Sequence, residues 1–255
     1  MTRSITYTAL PDIPLVQPGD DICTIIKDGL MRAEIVLQDG DVMVIAQKII
    51  SKAENRYVNL NELVPSERAH ELAAVTGKDA RHVEAVLAES SEVVRAKKNV
   101  MIVAHRLGFV MANAGIDESN IEHVDGAARV LLLPIDPNGS CLALKEHLDR
   151  EFGVSIGVII NDSFGRAWRN GVVGVALGAA GISSLENLIG SQDLFGRTMK
   201  VTEVAIGDEL AAAASLVMGQ GAEGLPIVHV RGFRNRGPNN DASALIRPKP
   251  MDMFR

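Results

Sequence analysis

Two aspartates that follow apolar runs carry most of the chemistry this chain could do. The run 154–160 gives way to Asn161, Asp162 and Ser163, and Gly165, Arg166, the only tryptophan (Trp168), Arg169 and Gly171 follow within a few residues. A carboxylate where a buried strand runs out faces a crevice rather than packed core, a place suited to a metal ion or a reacting group. Two guanidinium groups beside it suit a phosphate or an acidic substrate. A plainer reading stays open, in which Asp162 caps the following turn and Arg166 and Arg169 are surface charges. The second aspartate, Asp117, follows the strand-like run 109–112 within Asn113-Ala-Gly-Ile-Asp-Glu-Ser-Asn120. It is the natural companion of Asp162.

Two further stretches fit a phosphate-bearing ligand. Segment 47–56 mixes apolar residues with Lys48, Ser51, Lys52 and Arg56, either as a solvated face or as point charges and a hydroxyl for phosphate. Gly219-Gln-Gly-Ala-Glu-Gly224 formally satisfies G-x-G-x-x-G, but it follows a helix and precedes the strand-like run 227–230, the reverse of a dinucleotide fold. NAD binding is therefore excluded. The loop can still offer backbone N–H groups to a phosphate or Gln220 to a metal, and otherwise it is a helix cap with a connector. Two carboxylates, a serine, an amide and several cations form a set for a hard cation with a nucleotide, because Mg²⁺ and Mn²⁺ take few protein oxygens and fill the rest with phosphate and water. The six histidines, His123 among them, are scattered and support neither a zinc site nor a triad. Cys23 and Cys141 lack companions and read as buried thiols.

The elements that must position these residues follow from caps and periodicity. A short strand opens the chain. Asp20 is placed to cap a helix to about residue 33, with Ile22, Ile25, Ile26 and Leu30 on one face. Strand 42–46 comes next, then helices from Ser66 to Val75 and from Asp79 to Ala88, the first closed by Gly77. Runs 99–104 and 109–112 form a hairpin. Ser140 is expected to cap a helix ending at Gly153, the small residues of 171–181 imply close backbone packing, 199–205 is strand-like, and Asp208 is expected to cap a helix to Met218. Irregular alternation with a hairpin favours an α+β fold, with mixed sheets and flanking helices. No repeat or linker divides the chain, so residues 1–255 are expected to form a single module, with room for two intimately packed subdomains.

The formal net charge of −6 and pI near 5.6 argue against a nucleic-acid partner and leave a small molecule as the expected ligand. The N-terminal segment has no secretion-type apolar core and no run approaches the roughly 18 apolar residues of a membrane span. A cytoplasmic protein is expected.

Taken in order, Ile49-Ile-Ser-Lys-Ala-Glu54, Asn113–Asn120, Leu132-Leu-Pro-Ile-Asp-Pro-Asn-Gly139, Asp162-Ser-Phe-Gly-Arg-Ala-Trp-Arg169, Gly171-Val-Val-Gly174 and Met218-Gly-Gln-Gly-Ala-Glu-Gly-Leu-Pro226 resemble the motifs of the coenzyme F420-0:L-glutamate ligase (gamma-glutamyl ligase) family in its stand-alone form. The resemblance implies a GTP-dependent ligase that joins L-glutamate to F420-0 and adds further γ-linked glutamates through an acyl phosphate, releasing GDP and phosphate. It implies two divalent ions, Mg²⁺ or Mn²⁺, with K⁺ as a further candidate, and an intertwined homodimer in which the run 171–181 could lie at the interface. By motif, Asp117 and Asp162 would ligate one metal and Ser163 and Gln220 a second, with Asp117, Asp162 and Lys52 as the catalytic set. Ile13, Pro14, Leu15, Val16, Ser51, Lys52, Asn120 and Met218, Gly219, Gln220, Gly221, Ala222, Glu223, Gly224 and Leu225 would hold GTP. Arg166 and Arg169 as binders of the acidic substrate rest on charge alone. Two alternatives stand beside the ligase: a metal-dependent nucleotide phosphohydrolase and a non-catalytic GTP-sensing module.

Overall fold

The computed structural model describes residues 3–121 and 128–253; His123 lies outside the described residues. The architecture is the expected α+β one, built on a central five-stranded sheet of order β1-β12-β2-β8-β9. Its strands are β1 (Thr6–Ala9), β2 (Val42–Ala46), β8 (Gly157–Gly165), β9 (Val172–Ala180) and β12 (Ile227–Arg231). Only β2 and β8 pair in parallel; the other neighbours are antiparallel. Side chains alternate between the two faces of this sheet. Ile45, Val158 and Ile160 meet helix α1 (Ile22–Arg32) and helix α5 (Pro137–Phe152) on one side, whereas Val44, Ile159 and Val228 meet helix α6 (Ile206–Met218) on the other.

Several helix starts lie slightly away from the expected residue, each for a visible reason. Asp21, not Asp20, caps α1, accepting from the Cys23 amide at 3.0 Å, while Asp20 accepts from the Gln17 amide at 2.8 Å in the preceding turn. Asp136 caps α5, because Pro137 fits the first helical turn without an N–H, and Ser140 lies inside the helix, donating to Glu54. Asp208 lies in the first turn of α6 and accepts from the Ala176 amide of β9 at 2.9 Å, so it ties helix to sheet instead of capping. The small residues of β9 serve internal packing: a Cβ on Gly174 would come within 2.5 Å of the Ala211 carbonyl of α6.

A second, smaller sheet has the order β4-β5-β6: β4 (Ser90–Lys97), β5 (Val100–His105) and β6 (Val110–Ala112). Helices α3 (Glu67–Thr76) and α4 (Ala80–Ala88) start and stop as their caps dictate and pack on it through Leu72, Val83, Val86, Met101 and Val103. Strand β4 was not expected, since its polar residues and mostly half-buried pattern give no clean alternation. Two short ladders complete the fold, β3 (Tyr57–Asn59) with β7 (Arg129–Leu131), and β10 (Glu186–Asn187) with β11 (Glu203–Val204). The strand expected over 199–205 shrinks to β11. Among the described residues no helix is long and apolar enough to cross a membrane.

Candidate metal and nucleotide cleft

The two central parallel strands part company where the site begins. Ala46 pairs with Asn161 as the last parallel couple; β2 then turns directly into helix α2 (Gln47–Ala53), while β8 continues to Gly165 against β9 alone. Asp162 and Ser163 therefore lie within β8 yet beyond the end of its neighbour β2, a carboxyl-end crevice. Strand alternation sends Asn161 and Ser163 towards α6, where Gln220 Nε2 donates to Ser163 Oγ at 3.0 Å and to Ser215 Oγ at 2.9 Å.

Asp117 reaches the same crevice from a different element. Its backbone exchanges two 2.9 Å hydrogen bonds with Leu131 of β7, which fixes the segment. Gln47 Nε2 donates to Asp117 Oδ2 at 2.7 Å, and Lys48 Nζ lies 3.2 Å from Asp117 Oδ1. Ser51 Oγ donates to Gln47 Oε1 at 2.8 Å. Lys52 Nζ donates to the Asn120 carbonyl at 2.8 Å, and Asn120, in a left-handed backbone conformation, donates through Nδ2 to the Gly221 carbonyl at 3.3 Å. Asn120 thus links the two walls. The loop after α6 turns at Gly219, whose φ of +75° would strain a residue with a Cβ, and the Gly221 amide donates to Glu223 Oε2 at 2.8 Å.

These elements enclose a cleft of about 780 Å³. It is lined by Ile13–Val16, Lys48, Lys52, Asp117, Asn120, Asp162, Ser163 and the run 218–225. The structure thus brings together the residues singled out for the site in the sequence, with four exceptions. Ser51 is fully buried behind Gln47, and Arg166 and Arg169 lie on the exposed turn between β8 and β9. Arg56, considered with the basic segment, instead pairs with Glu89 and donates to the Leu133 carbonyl. Gln47, Asn161 and Ser215 line the cleft without having been assigned a role in it. The spacing Gln47–Ser51 and Lys48–Lys52, one helical turn each, was the available signal for Gln47.

Electrostatics mark the pair of carboxylates as short of positive charge. Burial and then the neighbouring Asp117 push the Asp162 carboxyl up to about 7, against the Ser163 amide and Lys48. Burial also raises Asp117, opposed by Lys48, Gln47 and Lys52. Like charges held together with little water favour a proton or a metal ion between them. Beside them the buried Asn161 Oδ1 has no hydrogen-bond partner. Among the described residues no three His, Cys, Asp or Glu side chains gather to cage a metal. Two carboxylates flanked by neutral oxygens fit a hard divalent cation that completes its shell with phosphate and water, and do not fit a thiolate or imidazole metal.

Comparison with known proteins identifies the family. The family model described as F420-0:gamma-glutamyl ligase matches residues 12–232. The chain is 46% identical over 253 residues to the coenzyme F420:L-glutamate ligase of Methanothermobacter thermautotrophicus, covering 98% of this chain and 99% of the relative. It is 44% identical over 244 residues to the protein of the same name from Methanocaldococcus jannaschii, covering 96% and 94%. For the one from Methanopyrus kandleri the identity is 46% over 245 residues, covering 94% and 93%. With matches that span nearly its whole length, the chain belongs to the F420-0:gamma-glutamyl ligase family.

Proposed function

We propose that this protein is a GTP-dependent ligase that adds L-glutamate to F420-0 and then extends it with γ-linked glutamates. The observation that carries the reading is the placement of Asp117, Asp162, Lys48, Lys52 and the 218–225 loop around one cleft. In the proposed reaction the acceptor carboxylate takes the γ-phosphoryl group as the bond to the β-phosphate oxygen breaks, releasing GDP. The glutamate amine then attacks the acyl carbon and phosphate departs, leaving an amide. Lys48 and Lys52 offer their ammonium groups to the phosphates. The backbone of Gly219–Leu225 and the 13–16 segment wall the nucleotide in, with Asn120 tying the two sides together.

Asp117 and Asp162 would hold one Mg²⁺ or Mn²⁺, and Ser163 and Gln220 a second; K⁺ is a further candidate for the neutral oxygens. When bound, such ions neutralise charge on a transferring phosphoryl group. Arg166 and Arg169 stay candidates for the acidic acceptor. They lie on the exposed turn four and seven residues past Asp162, where their charge would meet the acidic acceptor. A cytoplasmic homodimer completes the proposal. Leu194, Phe195, Val201 and Trp168 are each more than 80% exposed, a set of apolar side chains that a second copy would cover.

The test is to incubate purified protein with GTP, Mn²⁺ and F420-0, with and without L-glutamate, and to weigh the deazaflavin. A gain of one or more glutamyl units is expected. GTP hydrolysis that ignores glutamate, with no change in acceptor mass, would make the protein a phosphohydrolase, and binding without turnover would make it a sensing module.

A further inference from the structure

The hydroxyl of Ser51 lies one turn along α2 from Gln47 and is 0% exposed, while Gln47 is 2% exposed. Neither the burial nor the hydrogen bonding of Ser51 suits contact with a nucleotide. Its Oγ donates to Gln47 Oε1 at 2.8 Å, and the other end of that amide donates to Asp117 Oδ2 at 2.7 Å. The polarity of this chain is set at its far end. An ionised carboxylate only accepts, so Gln47 must turn its nitrogen to Asp117 and its carbonyl oxygen inward. A buried carbonyl oxygen left without a donor is costly, and Ser51 is that donor.

We infer that Ser51 is a positioning residue for cation binding: acting through Gln47, it holds the Asp117 carboxylate in one orientation and does not touch the nucleotide. The inference rests on the metal reading of Asp117 given above. With Oδ2 fixed by Gln47, the carboxylate presents Oδ1 to the cleft, where Lys48 now lies 3.2 Å away. Without Ser51 the amide loses its inner anchor, and the carboxylate gains freedom that a metal ion must then remove. Partners of this kind, one shell behind a metal ligand, fix its orientation and raise its affinity.

The experiment measures Mn²⁺ binding to the full chain by electron paramagnetic resonance, and GTP affinity separately in EDTA, with melting temperature as a control for folding. Ser51→Ala is expected to weaken Mn²⁺ binding about 10-fold, the lower end of the range for such outer partners, and to leave metal-free GTP affinity unchanged. Gln47→Leu is expected to weaken it at least as much, and the double variant to match Gln47→Leu alone, since both act on one path. Wild-type Mn²⁺ affinity in Ser51→Ala would overturn the inference, as would an equal loss in the Gln47→Leu background or a fall in GTP affinity in EDTA. If Asp117→Asn binds Mn²⁺ as the wild type does, the metal reading itself has failed and this inference falls with it.

Discussion

Asp41 and Asp162 stand at opposite ends of the same parallel strand pair, and their surroundings are opposite too. At the amino end of β2, Asp41 is contacted by His229 Nε2 at 2.8 Å and accepts from Arg231 at 2.6 and 3.0 Å and from the Gln38 amide at 2.9 Å. Burial alone would raise its carboxyl, but Arg231 and His229 outweigh that and hold it below the usual range. At the carboxyl end, Asp162 accepts from the Ser163 amide at 2.8 Å and has another carboxylate, Asp117, as neighbour. The chain completes the charge environment at one end and leaves it incomplete at the other. A buried carboxylate with all its partners holds the fold together, whereas a pair pressed towards each other is arranged for a cation from outside.

The comparison breaks most sharply at the carboxyl end. Asp162→Asn should lower glutamyl transfer by at least about 10³-fold, as expected when phosphoryl charge loses several kcal/mol of stabilisation, without lowering the melting temperature of the metal-free protein. A combined assay and thermal melt decides it. At the amino end the pattern inverts: Asp41→Ala strands Arg231 and His229 and should cost about 3 kcal/mol, near 10 °C of melting temperature, while the variant keeps its Mn²⁺ affinity.

The same logic gives a pH dependence away from the cleft. Glu89 is raised by burial but lowered more by His105, Arg106 and Arg56, so that its carboxyl falls to about 2. A carboxyl depressed on folding contributes stability that is fully present above its unfolded value and is lost as pH falls through the folded one. Denaturant melts should therefore show wild-type stability falling between about pH 4.5 and 2, and Glu89→Gln should flatten that fall. The smallest effect is expected at Asn120, where Asn120→Ala removes one exposed hydrogen bond across the cleft. It should weaken GTP binding about 5-fold, the value of roughly 1 kcal/mol, as measured by calorimetry.

How much of this was legible in the sequence depended on whether the signal was local. Helices α3 and α4 could be placed from Ser66, Gly77 and Asp79, because caps act within a turn of themselves. Strand β2 was legible from its unbroken apolar run, as befits a strand buried on both faces. Strand β4 was not, since most of its residues are half-buried and its pairing with β5 is interrupted by register shifts. In the cleft, Asp117 and Asp162 stood out because each follows an apolar run. Gln47 did not: its role depends on Asp117, 70 residues away, and a glutamine beside lysines looks like a solvated helix face. Ser51 carried the right residue type, but only the fold shows that its hydroxyl points to Gln47 and not into the cleft.

The most direct measurement is Mn²⁺ binding at equilibrium to wild type, Asp162→Asn and Asp41→Asn, in the presence of GTP. The account predicts tight binding to wild type and to Asp41→Asn, and binding weakened at least 10-fold in Asp162→Asn. Equal Mn²⁺ affinity in wild type and Asp162→Asn would contradict it, because the two ends of the strand pair would then differ in their surroundings but not in what they bind.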